Sequence, residues 1–222
     1  MNVQEVISAL QKKGTAQNRK VYPRHGAREV IGVSFADIDR LQKQIKTDHQ
    51  LAQQLWNSGH FEARILALKI AEPLLADLKK WAKETADYTT ADTLAKLAVR
   101  AKESLPLMST LCASPKEWLG RIGFQMLAIT AMERTDLEDD FFLPYLDLIA
   151  AGIHQRPNRT RDAMNNALIA IGIRNPALQQ RAVRIARSIG KVQVDHGETS
   201  CKTPDAEAYI IKTLAHRQKR KQ

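Results

Sequence analysis

Apolar residues recur three and four positions apart along almost the whole chain, the spacing that lines one face of a helix, while residue-by-residue alternation bounded by turn signals is absent. Ser34 precedes Phe35, Ile38, Leu41 and Ile45, with Asp37 three residues on in the manner of a capping box, so a helix starts there. Segments from about Asp48 to Trp56 and from about His60 to Ile70 follow, the second carrying a stripe of Phe61, Ile65 and Leu68 ahead of Pro73. Leu74, Leu75, Leu78 and Trp81 keep the helical spacing beyond that proline, which kinks the path or opens a new helix. Thr89 with Asp92 marks a further start, before Leu94, Leu97 and Ala98. Ser114, Pro115 and Glu117 supply a cap, a proline at the first helical position and an acid at the third, ahead of Trp118, Ile122, Met126 and Ile129. Thr135 and Glu138 repeat the signal before Phe141 to Ile149, Asn175 and Pro176 open a helix that stops near Gly190, and a last helix runs from Ala206 to Leu214.

The fold class expected is all-α. Helix pairs return roughly every 40 residues without fixed positions, as in HEAT-like or armadillo-like arrays, so a helical-repeat solenoid is the first expectation and an irregular bundle the alternative. At 222 residues, 44% of them hydrophobic, the chain is expected to form a single domain over 1–222, with a short basic tail from about 216. The longest apolar stretch, Phe141 to Ile153, is interrupted by Pro144 and Asp147 and falls short of the roughly 20 residues that span a bilayer, so no membrane role is expected. The beginning lacks the charged, apolar and small-residue sequence of a secretory signal, which predicts a cytoplasmic protein with Cys112 and Cys201 as thiols. No glycine-rich phosphate loop follows a strand, so no cofactor is implied, and nothing implies an oligomer.

Charge adds a functional direction. The formal net charge is +10, and the basic residues cluster near the start (Lys12, Lys13, Arg19, Lys20, Arg24, Arg28), in the tail (Arg217, Lys219, Arg220, Lys221), and between Arg156 and Arg187. That last stretch holds Arg156, Arg159, Arg161, Arg174, Arg181, Arg184 and Arg187 against one acid, Asp162. Guanidinium groups suit bidentate phosphate contacts, and neutralising phosphates releases the counterions condensed on a nucleic acid. A solvated face that keeps the protein soluble is the plainer alternative.

Several motifs in order give this direction a name. Gly32 and Val33 leading to Asp39, Arg40 and Leu41, then Leu51 to Trp56, then His60, Phe61, Glu62, Ala63 and Arg64 ahead of Leu66, Ala67 and Leu68, resemble the opening helices of the AlkD-type DNA-alkylation-repair family. Tyr88 followed four positions later by Asp92 is similar to that family's aromatic residue and catalytic aspartate, and Trp118 to Arg121 resembles its Trp-x-x-Arg segment. The resemblance covers about Val33 to about Ile173. It implies a HEAT-like repeat that recognises damaged double-stranded DNA and hydrolyses the N-glycosidic bond of N3- or N7-alkylated purines. In that chemistry Asp92 would stabilise the oxocarbenium character of the sugar and help place water, Tyr88 would pack against sugar or backbone, and Arg121 would hold a phosphate. Arg156, Arg159, Arg161, Asn166 and Arg174 are the accompanying DNA-contact candidates.

The chain departs from the family at two positions. Tyr88 stands where the glycosylases place a tryptophan, and the second active-site tryptophan aligns with Asn166; no tryptophan follows Trp118. A non-catalytic binder of branched or distorted DNA is therefore one alternative, and a protein-interaction scaffold another. Each candidate also has a structural reading. Asp92 would cap a helix at its third position, Arg121 would pair with Glu117 one turn earlier, Trp118 would lie in the core, and Asn166 would join Asn165 on a polar face opposite Met164, Leu168 and Ile171. Asp195, His196 and Cys201 fall in a polar stretch whose spacing fits no familiar zinc pattern, and they stand as a small site of unknown role, with no metal expected.

Overall fold

The computed structural model describes residues 1–219, and every regular element among them is helical. Arg220 and Lys221 of the basic tail lie outside the described residues. The α-helices in chain order are α1 (Val3–Lys13), α2 (Ala16–Val21), α3 (Phe35–Ile45), α4 (His49–Asn57), α5 (Phe61–Ile70), α6 (Leu75–Glu84), α7 (Tyr88–Ala98), α8 (Ser104–Ala113), α9 (Glu117–Glu133), α10 (Leu143–Gly152), α11 (Asn158–Gly172), α12 (Pro176–Ile189) and α13 (Ala206–Lys219). They form two compact units. One comprises Met1–Glu103 with His196–Ser200, and the other Ser104–Asp195 with the chain from Cys201 onward.

Each unit is organised around one helix whose residues are mostly buried, because neighbouring helices surround it. In the first unit that helix is α5, which packs against α1, α3, α4 and α7 and buries Phe61, Ala63, Ile65, Leu66, Ala67, Leu68 and Ile70. Trp56 of α4 and Trp81 of α6, both fully enclosed, stack at 5.1 Å between centroids. The Trp56 indole NH donates to Glu84 at 2.6 Å, which gives the buried ring its hydrogen-bond partner. In the second unit α11 is central and touches α9, α10, α12 and α13. Gly120 lets α9 and α11 approach closely, because a Cβ there would come within 2.8 Å of the Thr160 side chain.

The starts marked by Ser34 and Asn175 are where the caps form: Ser34 accepts from the Asp37 amide and Asn175 from the Leu178 amide. Two other starts move. The cap of α7 is Asp87, not Thr89; its carboxylate accepts from the Thr90 amide at 2.8 Å and the Thr90 hydroxyl at 2.7 Å. Burial pushes the Asp87 carboxyl above the usual range, with the Thr90 hydrogen bonds opposing. Helix α9 begins at Glu117 with Lys116 at its cap position, so Pro115 precedes the helix. The Thr135 and Glu138 signal leads into a single 3-10 turn over Asp139–Phe141, and α10 starts at Leu143. Helices α1, α2 and α8 have no counterpart in the predicted pattern, and the last helix runs on to Lys219.

No solvent reaches one acid of α5. Glu62 is 0% exposed, and its carboxylate accepts from three successive backbone amides, Ile31 at 2.9 Å, Gly32 at 2.6 Å and Val33 at 3.1 Å. Gly32 has φ +95°, and a Cβ on it would strike the Thr15 carbonyl at 2.6 Å, so the amide concavity requires glycine there. The Gly-Val and His-Phe-Glu-Ala-Arg motifs are thus two halves of one buried contact. Glu62→Gln keeps the size but turns an amide NH2 toward backbone donors, and is expected to cost about 2–4 kcal/mol. That loss is read as a fall in melting temperature on the order of 10 °C; an unchanged melting temperature would show that the carboxylate does not hold this turn.

Candidate active site and nucleic-acid interface

In the first unit the candidate residues are carried by α7. Tyr88 is its first residue and Asp92 lies one turn later on the same face. With the helix starting at Tyr88, Asp92 occupies the fifth helical position, beyond the amides that need a cap, so its carboxylate is not the helix cap that its spacing from Thr89 suggested. The Tyr88 hydroxyl shares a 2.6 Å hydrogen bond with Nδ1 of His25, whose ring meets the tyrosine edge-on at 5.9 Å. His25 ends a 3-10 turn over Tyr22–His25 and precedes Gly26, which has φ 86°. Nearby, Tyr22, Phe35 and Phe61 meet in pairs at 5.8, 5.6 and 6.5 Å between centroids. The Tyr22 hydroxyl donates to the Val33 carbonyl at 2.9 Å, and burial raises that phenol above its ordinary range, with Glu62 adding to the effect. Together with Tyr88 and His25 these rings line a pocket of about 220 Å³.

In the second unit Arg121 points from α9 into α11. It is 4% exposed, and its Nη1 donates to the Asp162 carboxylate at 2.8 Å and to the Arg159 carbonyl at 3.2 Å. Glu117 instead accepts from the Arg159 amide at 2.7 Å, while the Thr160 hydroxyl donates to the Glu117 carbonyl at 2.7 Å. The N-terminal ends of α11 and α9 are therefore stitched together by four polar contacts, and the expected Arg121–Glu117 pairing gives way to Arg121–Asp162. Arg159, Asp162 and Asn166 share a face of α11, with Asn166 half-buried. Asn165 points elsewhere: it is buried and donates to the Pro204 carbonyl at 3.0 Å. Trp118, expected in the core, is only half-buried.

The arginine-rich stretch serves two kinds of contact. Arg156 donates to the Ser114 carbonyl and, at 3.1 Å, to the Cys112 carbonyl, both at the end of α8. Arg174 donates to the Ala131 carbonyl in the last turn of α9 at 2.9 Å and to the Leu137 carbonyl at 2.6 Å, and stacks over Phe142 at 4.8 Å. Arg181 pairs with Asp147 and Arg187 with Glu207. Arg184 is exposed, and the half-buried Arg161 keeps a buried Nε without a hydrogen-bond partner among the described residues. Arg156 and Arg174, offered as phosphate contacts on composition, thus have their guanidinium forks on backbone carbonyls.

The residues Asp195, His196 and Cys201 do not gather into a metal site: no cluster of three or more His, Cys, Asp or Glu suited to a metal occurs among the described residues. Asn158 clamps the Asp195 peptide from both sides, donating to its carbonyl at 2.7 Å and accepting from its amide at 2.8 Å. His196 is half-buried, its carbonyl accepting from the Thr199 hydroxyl at 3.0 Å, and Cys201 is exposed.

A family model described as DNA alkylation repair enzyme matches residues 6–210, a span that contains every candidate on α7, α9 and α11. The chain belongs to this DNA alkylation repair family. It is 26% identical over 217 residues to the uncharacterized proteins Lin0241 of Listeria innocua and Lmo0209 of Listeria monocytogenes, covering 93% of this chain and of each relative. A solved structure that superposes with a TM-score of 0.89, at 26% identity and covering 98% of this chain and 95% of that one, is described as a new family of proteins related to the HEAT-like repeat DNA glycosylases with affinity for branched DNA structures. The fold is accordingly a HEAT-like helical repeat.

Within the DNA alkylation repair family frame, three side chains escaped sequence reasoning. Asp162 carried a signal, as the single acid in an arginine-rich run. Glu62 carried a weaker one, as an acid inside an otherwise apolar helix. His25 carried none, being 63 residues from Tyr88. Breaking the Arg121–Asp162 pair leaves a buried charge without its partner, so Arg121→Ala is expected to cost about 3–5 kcal/mol. Thermal or denaturant unfolding measures it, and a phosphate-holding surface arginine would instead leave stability unchanged.

Proposed function

We propose that this protein binds branched or distorted DNA through its backbone and does not hydrolyse the glycosidic bond. The observation that carries the reading is the position of Arg121: a guanidinium committed to Asp162 and to the Arg159 carbonyl is poorly placed to receive a phosphate. Asn166 adds to it, because an amide in place of a tryptophan removes one wall that would hold the deoxyribose. The affinity for branched DNA of the structurally similar family supports the choice of substrate. Exposed cations, among them Lys20, Arg24 and Arg28 of the first unit and Arg184 of the second, are the phosphate contacts, joined by Arg159 and Arg161 on α11. Double-stranded arms meeting at a branch would supply their phosphates.

A second reading retains chemistry at N3- or N7-alkylated purines. The placement of Tyr88 and Asp92 one turn apart on one face of α7 favours it, since a carboxylate beside an aromatic ring can stabilise a developing positive charge on the sugar.

Incubation with a duplex carrying one N7-methylguanine, alongside the Asp92→Asn variant, separates the two. The expected outcome is no base release above the no-enzyme rate, together with binding of a four-way junction about tenfold tighter than a linear duplex of equal length, weakening steeply with salt. Release by the wild-type protein that disappears in Asp92→Asn would overturn this and establish a glycosylase.

A further inference from the structure

The aromatic pocket of the first unit has a shape and chemistry that backbone binding does not use. From it we infer that the protein holds one unpaired nucleobase of its DNA, stacked against Phe35 and Tyr88; the inference rests on the DNA-binding reading above. The pocket, about 220 Å³, has room for a single planar heterocycle. Its walls are the rings of Tyr22, Phe35, Phe61 and Tyr88, with the His25 imidazole at the edge.

The rings are held in different ways, and this sets their roles. Phe61 is 4% exposed and belongs to the core of α5, and Tyr22 is fixed by its hydrogen bond to the Val33 carbonyl. Phe35, at the first position of α3, is 39% exposed, an unusual setting for a phenylalanine already in contact with two other rings. Its outward face offers a flat apolar surface at the mouth of the pocket. Tyr88 is held against His25 by the 2.6 Å hydrogen bond, so its ring is oriented before any ligand arrives. A preset aromatic wall reduces the ordering cost of stacking.

Charge completes the case for a nucleic-acid base over a neutral apolar ligand. The chain segment that contributes Tyr22 and His25 also carries Lys20, Arg24 and Arg28, all exposed, and no acid occurs between Lys20 and Arg28. Stacking platforms beside cations are the arrangement that binds single-stranded nucleic acid with little sequence preference, since every base has a π face. Unpaired bases are present at gaps, flaps and imperfect branch points and absent from a fully paired duplex.

The test compares two junctions that differ only at the branch: one fully paired, the other with a single unpaired 2-aminopurine there. Full-length wild-type protein and the Phe35→Ala and Phe35→Trp variants are titrated, with affinity read by anisotropy, stacking by 2-aminopurine fluorescence, and folding by thermal melting. The wild-type protein should quench the fluorophore and bind the unpaired junction more tightly. Phe35→Ala should weaken that complex about tenfold and abolish the quench, while changing the fully paired complex less than about twofold. Phe35→Trp, which restores a stacking face, should keep the quench. Equal affinities for the two junctions with unchanged fluorescence would overturn the pocket assignment and leave backbone binding standing. Failure of the wild-type protein to bind either junction would overturn the DNA-binding reading and the pocket with it.

Discussion

Every α-helix ends with carbonyls that no later turn can satisfy, and a chain built from short helices has many such ends to cover. In this protein arginine meets that demand repeatedly. Arg64 donates to the Trp56 carbonyl near the end of α4, Arg156 to Cys112 and Ser114 at the end of α8, Arg174 to Ala131 and Leu137 after α9, and Arg217 to Ile173 at the end of α11. A guanidinium reaches two carbonyls at once, carries its own favourable interaction with the negative end of the helix dipole, and keeps its stem against apolar neighbours. Within each unit these residues join the end of one helix to a later segment of the chain.

Backbone amides and a buried guanidinium make the matching demand on acids, of which Glu62 and Asp162 are buried and Glu117 half-buried. Glu62 gathers three amides of the segment before α3, Glu117 receives the Arg159 amide at the start of α11, and Asp162 neutralises Arg121. Two of these residues, Glu62 and Arg121, lie in motifs by which the chain resembles DNA-repair proteins. Their positions show that such a motif can mark the fold's polar joints as much as its chemistry. This is why membership in the DNA alkylation repair family does not by itself decide whether a glycosidic bond is cut. Tyr88 and Asp92, the catalytic candidates that the resemblance names, lie on one face of α7.

Much of the fold was legible because its signals are local. Ser34 and Asn175 announce their helices through side chains that reach only three residues ahead, and the apolar stripes of α3 and α12 are one-sided, as surface helices require. Helix α8 was not legible: Ser104 to Ala113 is apolar on most sides, so it has no stripe to detect. Thr89 misled because the buried Asp87 two residues earlier captures the Thr90 amide first. Of the candidates that the family pattern names, Tyr88 and Arg121 bond to His25 and Asp162, which are distant in sequence, and pairing at a distance has no local signature. Composition could not single out Arg156 and Arg174 among the arginines between Arg156 and Arg187, because a count of charges cannot tell a helix-end contact from a phosphate contact.

The division of these arginines between architecture and DNA is the claim on which the rest turns, and Arg156→Ala and Arg174→Ala test it directly. For each variant one would measure the melting temperature and the dependence of junction affinity on salt. A fall of about 5 °C or more in melting temperature is expected, from loss of charge-assisted bonds to carbonyls, with the slope of log K against log salt unchanged. An unchanged melting temperature with the slope reduced by about 0.9 per variant would contradict it, because that is the signature of a lost phosphate contact.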